Sequence, residues 1–467
     1  MSTEAGATAR QLGFWMCVAL VVGNIIGSGI FLLPASLAPY GLNSVWAWLL
    51  TSAGAIALAL VFGGLSRALP GACGPYDYAR QAFGPLPAFL VIWGYWLSNC
   101  VTVAAISSAL VSYLSHLLPW ITASHANSIL LTLAFVWLLT GVNIVNMRSA
   151  GRIQVVTAAL KVIPLLAIVG LGLYLLVTGS PMLATTKLAS TSFDINAVTA
   201  AATLTLFALC GMESACVASE KVHDAQRTIL RATLTGTVLA ALIYVIASTT
   251  VMLLIPGDRL AQSNAPFADV AALFWGPGVA VWFALFAAIS CFGALNGWIL
   301  VNGQLGLQLA RNGLFPQAFT RETAAGTPVI AICTSSVVGS LLVLVSSGES
   351  IVALFTFLVL LSTTAVLFMY LLCSLAVLVL LRRGAVARSG FATSLAMAGA
   401  IGSLFSLWAI IGAGISIDPK VCGDGSLLCW TPWRSNPVYL GFFLLALGVP
   451  IYYAMRARRS APLPTRP

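Results

Sequence analysis

Charged residues are scarce in this sequence: Asp, Glu, Lys and Arg together make up 7% of its 467 residues, and 60% are hydrophobic. A water-soluble surface cannot be built from so few charges, and a mean hydropathy of +1.00 places the chain in a lipid bilayer. Histidine is scarcer still. His116, His125 and His223 lack metal-ligand spacing, and neither a nucleotide loop nor a hydrolytic set of side chains is present. No metal, ATP or other cofactor is expected, and no chemistry on a substrate. No removable leader is expected either, because the first eleven residues hold one acid and one Arg with no separate apolar core ahead of a cleavage site. The first span is expected to serve as the insertion signal. The bases behind the net charge of +10 sit in short loops without interleaved aromatics, which argues against nucleic acid as a partner.

Paired cysteines are nearly absent too. Most of the ten lie singly in apolar segments, where a thiol acts as a small hydrophobe. Cys422 and Cys429 alone form a suggestive pair, in a late loop expected outside the membrane, where either a disulfide or two free thiols is compatible with the sequence.

What the sequence has in abundance is apolar runs of spanning length, roughly 20 residues each. They predict an all-α integral membrane protein of about twelve helices, near 12–38, 44–66, 84–118, 127–146, 153–178, 196–220, 229–255, 277–311, 327–346, 350–381, 392–416 and 435–456. Loop charge then orients the chain. With both termini on one side, that side collects seventeen of the 22 Lys and Arg residues and the other side four, leaving Lys161 inside a helix. The basic side is the cytoplasm, so residues 1–11 and 457–467 are predicted to be cytoplasmic tails.

Two helices look interrupted at comparable places, the first at Gly23-Asn24-Ile25-Ile26-Gly27-Ser28-Gly29-Ile30-Phe31 and the sixth at Phe207-Ala208-Leu209-Cys210-Gly211-Met212-Glu213-Ser214. Glycine costs a helix about 1 kcal/mol per position relative to alanine, and freed backbone groups survive in a bilayer only where protein or water covers them. A Gly pair by itself would be read as close helix packing. Its recurrence next to an acid in the second half points to inverted repeats around a midplane site, spans one to five (12–178) against six to ten (196–381), with 392–456 peripheral.

At these residues the sequence resembles the amino acid–polyamine–organocation superfamily, in particular its bacterial basic amino acid and polyamine antiporters, including the arginine/agmatine exchangers. The resemblance runs over nearly the whole chain. It is carried by Gly27-Ser28-Gly29-Ile30-Phe31 with Pro34, by Gly74-Pro75-Tyr76 with Tyr78-Ala79-Arg80, by Gly211-Met212-Glu213-Ser214, and by Gly297-Trp298 ahead of Asn312-Gly313-Leu314-Phe315-Pro316. It implies a leucine-transporter-type core of five plus five helices, alternating access in a bacterial inner membrane, in many members a homodimer, and exchange of a basic amino acid for its decarboxylated amine.

Helix-terminus chemistry fits such a substrate. Amides after Gly27-Ser28-Gly29 would hold an α-carboxylate, and carbonyls freed between Phe207, Cys210 and Gly211 would accept from an α-ammonium. The Ser28 hydroxyl either assists or bonds back to its own helix. Asn24 and Ile25 border the first break, Trp298 matches the aromatic that covers the substrate's aliphatic part, and Phe207 matches the one that shuts the outer side. A Trp face attracts a desolvated cation by about 1 to 2 kcal/mol. Ser98, Asn99, Val103 and Ile106 of the third helix and Ser362 of the tenth complete the expected wall. The antiporters place an Asn where Val103 stands, which weakens arginine as the substrate more than it weakens amino acid transport.

Glu213 and Lys161 are the two clear charges inside predicted spans, and burying either costs at least about 2.5 kcal/mol unless a cavity or partner receives it. Glu213 matches an acid linked to proton-sensitive gating in the antiporters, with a structural carboxylate at the helix break as the alternative; Tyr76 is a further gating candidate. Lys161 departs from the arginine/agmatine exchangers and resembles the fifth-helix Lys of proton-coupled members, where it either loses its proton during transport or braces the helices. A proton-coupled carrier of a broader or neutral amino acid range is therefore the second expectation, with a channel or a membrane-bound enzyme far behind.

Overall fold

The computed structural model describes residues 13–460 except 28, 70–71, 73, 146–156, 158–159, 181–191, 214–224, 324–325, 346–349, 385–389, 417–428 and 431–435. The first span is two helices, α1 (Phe14–Ile25) and α2 (Gly29–Leu37), bent by 42°. There follow α3 (Asn43–Ala68), α4 (Pro75–Phe83), α5 (Pro85–Leu117), α6 (His125–Val145), α7 (Val162–Val177), α8 (Ile195–Leu209) and α9 (Ala225–Leu254). The remainder comprises α10 (Pro266–Trp275), α11 (Pro277–Arg311), α12 (Val329–Val345), α13 (Ile351–Arg382), α14 (Gly390–Gly412), α15 (Pro437–Ala446) and α16 (Gly448–Ser460).

Seven of the described helices are long and apolar enough to cross a membrane, α15 with α16 makes an eighth span over Pro437–Ala457, and the bent first pair makes a ninth. The shorter apolar helices α7, α8 and α12 stand at the predicted fifth, sixth and ninth spans. The chain is thus a multi-pass membrane protein whose described spans are all helical. Two details differ from the sequence expectation. The eleventh span stops at Gly412, and Ile415–Ser416 pairs antiparallel with Cys429–Trp430 instead of continuing a helix to 416. Helices α4 and α10 were not anticipated, because nine and ten residues are too few to read as a span. Cys422 and the side chain of Cys429 lie outside the described residues.

The third and eighth spans open alike. Gly84, at φ 89°, closes α4 and hands the chain to Pro85 at the first turn of α5; Gly276, at φ 86°, closes α10 and hands it to Pro277 of α11. Glycine tolerates the positive φ and proline is pre-set for a first helical turn. The resulting helices of 33 and 35 residues reach about 50 Å, beyond a hydrocarbon core of roughly 30 Å. A short helix, a Gly-Pro junction and a long span thus recur at the predicted third and eighth spans, as an internal repeat would require. Helix α5 is buried along nearly all its length and packs on α11, α12 and α13. Polar ties cross the bundle where apolar packing alone would leave register loose: Trp48 Nε1 donates to Ser248 Oγ at 3.0 Å and Thr51 Oγ1 to the Ala202 carbonyl at 3.2 Å.

Candidate functional site

Both breaks are built from backbone groups that leave the helical pattern. In the first, Ile26 N still reaches Val22 O at 2.8 Å, but Gly27 N turns to Ile25 O at 2.7 Å. The Gly23 carbonyl thereby loses its helical donor, and the Lys161 ammonium takes that place. Lys161 is only 3% exposed. The Ile25 carbonyl also accepts from the Tyr244 hydroxyl at 2.9 Å. Buried polar groups need such partners, and here each donor comes from a different helix. Ser28 lies outside the described residues.

In the second break α8 ends at Leu209, and Cys210 N turns back to Phe207 O at 3.2 Å. Gly211 adopts φ 105° and donates its amide to Glu213 Oε2 at 3.2 Å. The same carboxylate oxygen accepts from the Tyr370 hydroxyl at 3.0 Å, and the Tyr95 hydroxyl faces it as well. Glu213, 1% exposed, is therefore held by donors from both its own turn and α13. Residues beyond it, 214–224, are not described.

The two breaks touch. A Cβ on Gly29 would lie 3.1 Å from the Phe207 ring, and one on Gly211 would lie 3.2 Å from the Asn24 carbonyl. Between them is a cavity of about 30 Å³, room for a water or two and far too little for an amino acid. The walls must separate to admit one.

Asn24, Ile25, Gly27 and Gly29 line it from the first span, Ser98, Asn99 and Ile106 from the third, and Phe207, Cys210 and Glu213 from the sixth, with Trp298 and Ser362 completing it. Three expected residues stand elsewhere. Gly211 packs against the Asn24 backbone without lining the cavity. Val103 packs toward Gly339 of α12, and Tyr76 belongs to a different cavity at the end of the bundle. Lys161 reaches the break itself, through Gly23, without lining the cavity.

Sequence reading missed Tyr95, Thr102, Ala208 and Val366 as lining residues and Tyr370 as a Glu213 partner. Helical spacing carried most of that information: 95, 98, 99, 102 and 106 fall on one face of α5, with 103 to its side, and 362, 366 and 370 fall on one face of α13. Ser362 Oγ lies 3.0 Å from Ser98 Oγ and 2.8 Å from Thr102 Oγ1, closing a hydroxyl knot between those faces. Asn99, 2% exposed, differs: its amide faces the Tyr95 hydroxyl, but Nδ2 makes no hydrogen bond of good geometry. A buried, unsatisfied amide donor on the cavity wall costs about 1 to 3 kcal/mol until something accepts from it.

Residues 12–422 match the amino acid permease family. This chain belongs to that family. The permease is 34% identical over 362 residues to a putative arginine/ornithine antiporter of Bacillus subtilis, covering 72% of this chain and 76% of that one. A cadaverine/lysine antiporter of Escherichia coli is 33% identical over 327 residues, 69% of this chain and 72% of the relative. A putrescine transporter of Haemophilus influenzae is 31% identical over 408 residues, 87% and 93% respectively. Membership places the permease within the amino acid–polyamine–organocation superfamily, among transporters and not enzymes.

Proposed function

We propose that this permease is an antiporter that exchanges a basic amino acid for an amine by alternating access at the cavity between the two breaks. The observation that carries this reading is the unpaired Asn99 Nδ2 in a wall that also presents Trp298 and Phe207. An amide donor awaiting an acceptor suits a carboxylate, and the aromatic faces suit an aliphatic cation. Relatives named for arginine/ornithine, cadaverine/lysine and putrescine support the class, and arginine with agmatine is our first pair. The charge of the loops supports both termini in the cytoplasm of a bacterial inner membrane.

Proteoliposomes loaded with labelled arginine test it. Efflux is expected only when arginine, agmatine, ornithine, lysine, cadaverine or putrescine is present outside. Net flux driven by a pH gradient with no counter-substrate would instead establish the second reading, a proton-coupled carrier, which the seat of Lys161 on the first break favours. In the same assay Asn99→Leu is expected to weaken substrate affinity about 10-fold, the equivalent of roughly 1.4 kcal/mol, with a smaller change in maximal rate. Unchanged affinity in that variant would remove Asn99 from the site.

A further inference from the structure

Away from the central cavity, α4, the start of α5, the end of α11 and α16 enclose a second cavity of about 780 Å³. Among its described lining residues are three guanidinium groups, Arg80, Arg311 and Arg456, against a single carboxylate, Asp77. One guanidinium is already fixed in place, since Arg311 Nη2 meets Glu322 at 2.6 Å at the exposed rim. With Glu322 counted, three guanidinium groups face two carboxylates, and the net positive charge that remains disfavours a cationic amino acid or amine. An anion is attracted, and the planar guanidinium fork matches phosphate oxygens two at a time. The wall beneath the arginines is apolar, formed by Ile92, Leu305 and Met455, where α5 and α11 pass from loop to span. Basic pockets between helices at a membrane edge have the chemistry of a phospholipid headgroup site.

We propose that this cavity binds a phosphate-bearing anion, either the headgroup of an anionic phospholipid or a soluble phosphate. The proposal stands independently of the antiport reading, because a binding measurement tests it without transport.

The test uses the full chain in a neutral detergent, with phosphatidylglycerol, phosphatidylcholine or inorganic phosphate added and the melting temperature as readout, since only a ligand that prefers the folded state raises it. Phosphatidylglycerol is expected to raise the melting temperature several degrees more than phosphatidylcholine does. Arg80→Gln combined with Arg456→Gln is expected to abolish most of that difference, and Arg227→Gln, an exposed base outside the cavity, to preserve it. Inorganic phosphate acting alone identifies a soluble ligand; a response to the lipid only makes the acyl chains part of the ligand. The proposal fails if neither phosphate probe exceeds phosphatidylcholine, or if the double variant keeps the full shift. It fails equally if Arg227→Gln loses as much, which would mean diffuse surface charge. Should the glutamine pair fold poorly, Arg80→Lys with Arg456→Lys keeps the charge but not the fork, and unchanged lipid affinity there overturns the site.

Discussion

Exchange by Lys161→Ala is expected to fall about 30-fold or more, at equal incorporation into proteoliposomes. The ammonium is the group that satisfies the Gly23 carbonyl after Gly27 N turns away to Ile25 O. Without it a buried carbonyl is left bare, at a cost of about 1 to 3 kcal/mol, and the first span no longer keeps its break where the cavity needs it. Lys161→Met separates the two roles left open for this residue. If the charge only braces the helices, the melting temperature and exchange fall together. If it also moves a proton, the uptake that the Met variant retains additionally loses its dependence on a pH gradient. A Lys161→Ala protein that exchanges at more than a third of the wild-type rate would refute the assignment.

A second variant is expected to be as damaging for a different reason. Gly211→Val places a β-branched side chain at φ 105°, where such residues are outliers, and pushes it into the Asn24 backbone 3.2 Å away. Strain and overpacking together amount to about 3 kcal/mol or more, or roughly 100-fold in a binding equilibrium. Gly29→Ala is the matched mild change, because its neighbour is the edge of the Phe207 ring, which can shift by a few tenths of an ångström. Exchange by Gly29→Ala is expected within about threefold of wild type while Gly211→Val is inactive, as read by uptake at saturating substrate. Equal effects of the two changes would show that the contact between the breaks is looser than the geometry requires.

The breaks themselves were legible because their cause is local: glycines at 23, 27, 29 and 211 stand out in otherwise continuous apolar runs. The long spans were legible for the same reason, and Gly84-Pro85 and Gly276-Pro277 marked two of their starts to within a residue. What escaped depends on contacts far apart in the chain. Tyr370 reaches Glu213 across 157 positions, and no local pattern ties them. Val103 was placed in the wall by analogy with another sequence, whereas the face of α5 that meets the cavity runs through Asn99 and Thr102 beside it. Tyr76 follows a glycine-proline turn that reads as functional, yet α4 carries it to the end of the bundle.

The partnership of Lys161 with Gly23 also bears on how the chain is made. The two residues are 138 positions apart, a gap that takes a ribosome roughly seven to thirty seconds to translate. Until the fifth span is made, the first has no ammonium to receive the Gly23 carbonyl, and the fifth brings a charge that hydrocarbon disfavours. Each removes the other's defect. Their meeting is therefore a step of assembly in its own right, and a nascent chain halted after the fourth span holds an unfinished first one.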